Sequence, residues 1–153
     1  MTEISPQKKA ELWILKQHLP KKYNSLKFKE EKLELIWGGK FAFDAVSSDL
    51  SIIGLISTNS SKTSTNKTAS AKIMKIKADA LYLTNIKSEN YKKLFIFTEI
   101  LMYDFFKNES NSGRFPNDIE LVHVELPEDL REDIENARIM ARKEVAGNNL
   151  EGK

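Results

Sequence analysis

The sequence predicts a mixed α/β (α+β) fold, with helices on both faces of a central mixed sheet. Short apolar runs at residues 33–37, 40–47 and 51–57 follow one another with turn residues between them, as in antiparallel strands. A stretch with helical spacing at residues 69–83 then leads to a continuous apolar run at 94–100, the order of a crossover connection. Helical signals open and close the chain.

Ser5-Pro6 reads as an N-cap with proline at the first helical position, and Ala10, Leu12, Trp13, Leu15 and Leu19 form an apolar stripe, so a helix is expected over residues 6–18 with a break at Pro20. The basic stretch 21–32 reads as a loop. The first strand is expected at 33–37, ending in a Gly38-Gly39 turn, and the next two at 40–47 and 51–57. Residues 57–70, STNSSKTSTNKTAS, have almost nothing to bury and read as a mobile loop. Ile73, Ile76, Lys77, Ala80, Leu81 and Thr84 trace one side of the following helix.

Residues 94–100 read as a strand buried on both faces, 101–108 as a short helix, 110–118 as a loop and 119–126 as a further strand. From Pro127, acids fill a first turn, Leu130, Ile134, Ala137 and Ala141 repeat along one side, and Gly147 marks the stop. A single domain over residues 1–147 with a disordered tail at 148–153 follows, as expected for a chain of 153 residues.

Composition narrows the chemistry. The chain has no cysteine, which excludes disulfides, thiolate metal sites and cysteine catalysis and suits a reducing cytoplasm. Lys+Arg number 24 against 22 Asp+Glu, a net charge of +2 that does not by itself imply nucleic-acid binding. The distribution is uneven, with Lys62, Lys67, Lys72, Lys75 and Lys77 free of intervening acids and residues 127–135 strongly acidic. No secretory leader or membrane span is expected, so the Asn-x-Ser/Thr triplets at Asn59, Asn66 and Asn108 carry little meaning.

His18 and His123 lie on different elements, which argues against a histidine zinc site. No serine has the glycine spacing of a nucleophile elbow. Gly54, inside a strand, suggests close packing. Trp13, Trp37, Phe41, Phe43, Phe95 and Phe97 fall at expected core positions, which favours packing over base stacking.

The most informative segment is KFAFDAVSSDLSIIGLIS, residues 40–57: a strand carrying Asp44, a turn, and a second strand ending in Ser and Thr. It resembles the central hairpin of the PD-(D/E)xK, or restriction-endonuclease-like, nuclease superfamily. There, an aspartate on one strand and an acid-x-lysine pair on the next gather a divalent metal. The resemblance implies an αβββαβ core over residues 6–100, with the last strand and helix as an extension. Residues two apart on a strand share a face, so such an acid and lysine address one phosphate together. A cation there would polarise the phosphate, and the lysine would offset developing charge.

Laid on this chain, Asp44 takes the aspartate's place on a face shared with Ala42 and Val46, while the acid and lysine positions fall on Leu55 and Ser57. The resemblance therefore implies a degenerate site with no cofactor, retained for binding DNA or RNA through Lys62, Lys67, Lys72 and Lys75, or for assembly. A second reading is an active nuclease using Mg²⁺ or Mn²⁺. In it Asp44 would ligate the metal, Lys72 or Lys75 would supply the lysine, and Glu34, Asp49 or Asp79 a second carboxylate. A third is an interaction module whose acidic C-terminal helix docks a protein partner. Asp44 could equally cap loop amides or pair with a lysine.

Overall fold

The computed structural model describes residues 4–62, 67–88 and 90–151. A five-stranded mixed sheet runs in the order β1-β2-β3-β4-β5, with helices on both faces, as the sequence predicts. The strands are β1 Phe28–Glu34, β2 Lys40–Ser47, β3 Ile52–Ser57, β4 Lys92–Phe97 and β5 Ile119–His123. β1, β2 and β3 pair antiparallel, whereas β3, β4 and β5 pair parallel.

The chain enters through α1, Pro6–Trp13, whose Ser5 side chain caps the Lys8 N–H. The helix does not break at Pro20 as expected. It passes through a π-helical turn, Ile14–His18, into α2, Leu19–Lys22. Proline lacks an N–H and crowds the carbonyl four residues earlier, and a widened turn just before it accommodates both defects.

The first strand is also displaced. β1 occupies Phe28–Glu34, residues expected mostly as loop, and the expected strand at 33–37 instead runs into the turn. Its FKEEKLE sequence is charged because it is an edge strand, where charge discourages pairing with other chains. Trp37, expected in the core, is 59% exposed at the hairpin tip.

Two crossovers, β3 to β4 through α3 (Ser70–Leu83) and β4 to β5 through α4 (Ile100–Asn111), share one face of the sheet. There Ile73, Ile76, Ala80, Leu83, Met102 and Phe106 pack on Phe43, Leu55, Phe95 and Phe97. On the other face, Ala10, Ile14 and Leu19, with Ile134 of α5 (Glu128–Glu151), cover Ala45, Ile52, Leu94 and Ile96. Residues 94–97 are thus buried on both sides, as expected of a parallel strand, although β4 begins earlier and ends earlier than predicted.

α5 continues through Gly147 to Glu151, so the helix stop expected at Gly147 is not where the sequence placed it. Once a helix is propagating, an isolated glycine lowers its stability without ending it. Residues 152–153, and residues 63–66 of the expected mobile loop, lie outside the described residues. Among the described residues no helix is long and apolar enough to cross a membrane.

Candidate functional site

Asp44 lies where β2 and β3 part. Their pairing is confined to Ala45 with Gly54 and Val46 with Ile53. On the other side of β2 the register with β1 shifts, so that Asp44 and Ala45 together oppose Glu30. This β-bulge breaks the expected alternation: Val46 joins Phe43 on the α3 side, and Asp44 does not share its face. Instead, the Asp44 carboxylate accepts a hydrogen bond from the Ile56 N–H at 2.8 Å, taking the role that a strand carbonyl has elsewhere in the sheet.

Burial raises the Asp44 carboxyl above its ordinary value, opposed by the Ile56 N–H; the charges of Glu30 and Asp79 act with burial, and that of Lys75 acts against it. The site is therefore flanked on two sides. Towards α1, Lys8 pairs with Glu30 at 3.1 Å and Glu11 at 3.6 Å, and Glu11 is itself raised, first by burial and then by the charge of Asp44. Towards α3, Lys75 pairs with Asp79 at 2.8 Å. Each carboxylate near Asp44 thus already holds a lysine.

Sequence reasoning placed Lys75 and Asp79 as candidates but missed Glu11 and Glu30. Glu11 comes from a distant helix, and Glu30 came from a segment read as loop. Among the described residues, no three His, Asp or Glu side chains converge as metal ligands.

The remaining expected positions scatter. Leu55 is buried in the α3-side core, and Ser57 is buried with its backbone carbonyl accepting the Thr98 N–H at 3.1 Å. Lys72 donates to Asn59 at 3.0 Å, while Lys62 and Lys67 are exposed on the β3–α3 connection. Asp49 belongs to the β2–β3 turn, where hydrogen bonds from the Ser51 hydroxyl and N–H and the Ser47 hydroxyl lower its carboxyl to about 2. Glu34 pairs with Lys87 at 3.7 Å. His18 sits beside Trp13 and His123 beside Tyr103, each half-buried.

A second polar constellation, unsuspected from sequence, closes the carboxyl ends of β3 and β4. Arg138 of α5 binds the Glu99 carboxylate and the Thr58 carbonyl, beside an open groove of about 350 Å³ lined in part by Thr98, Arg131 and Glu132. The carboxyl ends of parallel strands are a common place for ligands, but here the arginine is already engaged by the protein's own carboxylates. Compared with protein-family models, curated proteins and solved structures, the chain matches none.

Proposed function

We propose that this chain is a nuclease-superfamily domain that holds DNA or RNA without cutting it, through the basic β3–α3 connection and the start of α3. One observation carries the loss of cleavage: Asp44 is bonded to the Ile56 amide, and each carboxylate beside it is paired with a lysine. A hard cation needs several oxygen donors, and Leu55 offers none at the position the superfamily fills with an acid.

Binding rests on Lys62, Lys67 and Lys72, exposed along a segment whose helix has no acid in its first turn. Such contacts to phosphates give affinity without reading sequence. Lys75, paired with Asp79, contributes less.

Titrating salt against binding of single- and double-stranded DNA and RNA tests this reading. Changing Lys62, Lys67 and Lys72 to Gln together is expected to weaken binding and to flatten the dependence of log K on log salt by roughly two to three. Absence of binding at low salt would overturn the proposal.

Lys75 and Asp79, whose charges both reach Asp44, favour one other reading, a rearranged metal-dependent nuclease. It requires Mg²⁺- or Mn²⁺-dependent cutting that disappears in Asp44→Asn, and the same nucleic acids incubated with either ion decide between the two.

A further inference from the structure

Helix α3 has two apolar faces. Ile73, Ile76, Ala80 and Leu83 point into the core. On the outward side, Ala71, Met74, Ala78 and Leu81 recur at the a and d positions of a heptad and are all exposed, Met74 at 64% and Leu81 at 53%. A helix covering a sheet ordinarily turns polar residues outward. At the far end of this stripe, the Asn85 carbonyl accepts the Ile36 N–H at 2.9 Å, which pins the β1–β2 hairpin tip there with Ile36 57% and Trp37 59% exposed. A cluster of exposed large apolar side chains of this kind marks an interaction surface.

We propose that this face joins two copies of the chain, packed about a two-fold axis with their α3 helices antiparallel. The order of side-chain sizes points to a second copy. With the axis near Ile76, Ala71 meets Leu81 of the second copy and Met74 meets its Ala78, so every large residue faces a small one and the two ridges interdigitate. The same patch serves both copies, as a closed two-fold contact requires.

Charge points the same way. Lys75 is paired with Asp79 at 2.8 Å and Lys77 with Glu109 at 2.9 Å, so the cations flanking the stripe already hold counterions. Identical faces can therefore approach without strong repulsion, while an acidic partner would gain little. Antiparallel pairing also brings each hairpin tip towards the start of the other α3, extending the contact with Ile36 and Trp37. The two basic β3–α3 connections then lie at opposite ends of a helix pair about 20 Å long. The proposal does not depend on nucleic-acid binding.

Sedimentation of the full chain over a range of concentrations tests it. A monomer–dimer equilibrium is expected, and Met74→Asp with Leu81→Glu should weaken it by roughly 30-fold or more. Ala78→Glu should act alike, with far-UV circular dichroism showing the fold retained in both. Met140→Asp, at an exposed position of α5, should leave association unchanged.

Because the chain has no cysteine, a mixture of Met74→Cys and Ala78→Cys chains should cross-link to a heterodimer on mild oxidation. A monomer at every concentration, a dimer indifferent to the α3 substitutions, or failure of that cross-link would each overturn the proposal.

Discussion

Asp44 shows how one side chain can be visible in a sequence while its role is not. An acid among FAFDAVS is conspicuous, but whether it binds a metal or a backbone amide depends on the bulge opposite Glu30. The amide bond gives it two separable contributions. Asp44→Asn keeps an acceptor for the Ile56 N–H and removes a charge that burial disfavours, so stability at neutral pH should stay level or rise. Asp44→Ala leaves that N–H unmatched in a half-buried position and should cost about 1–3 kcal/mol.

The pH dependence has a definite sign. A carboxyl raised in the folded state favours folding while protonated; that contribution is present below the ordinary value of 3.8 and is lost as pH rises through the folded value. Urea unfolding across the acid range should therefore show stability falling over this interval in the native chain relative to Asp44→Asn. The opposite slope would mean that Asp44 is held as an anion by a cationic partner.

At the scale of elements, periodicity identified α3, β2, β3 and β4 because each has an apolar pattern that its own residues supply. It misplaced β1, where FKEEKLE has only two apolar residues and becomes a strand by pairing with β2. The more apolar stretch beside it, with Ile36 and Trp37, forms the exposed tip. Gly54 was legible as a close approach, and a Cβ there would lie 3.2 Å from the Leu94 carbonyl oxygen and 3.3 Å from the Leu94 Cβ. Both atoms sit in the neighbouring central strand and cannot swing aside. Gly54→Ala should accordingly destabilise the protein by about 1–3 kcal/mol, read as a lower urea midpoint.

Across the whole molecule, burial is unevenly distributed. β3 and β4 lie between two apolar clusters, whereas β1 is an edge strand that exposes most of its residues. Native-state hydrogen exchange should find the slowest amides in β3 and β4 and faster exchange in the β1–β2 hairpin beyond the bulge. Uniform protection across the sheet would show that the hairpin opens only with the whole fold.

The sequence by itself determined the α/β class, the order of the main helices and strands and the absence of thiol chemistry, because periodicity and composition are properties of neighbouring residues. Tertiary structure alone decided that Asp44 binds an amide between Lys8 and Lys75 ion pairs, that Leu55 enters the core, and that Trp37 and one side of α3 face outward. These depend on strand register and on which distant segments meet, and no local pattern encodes either.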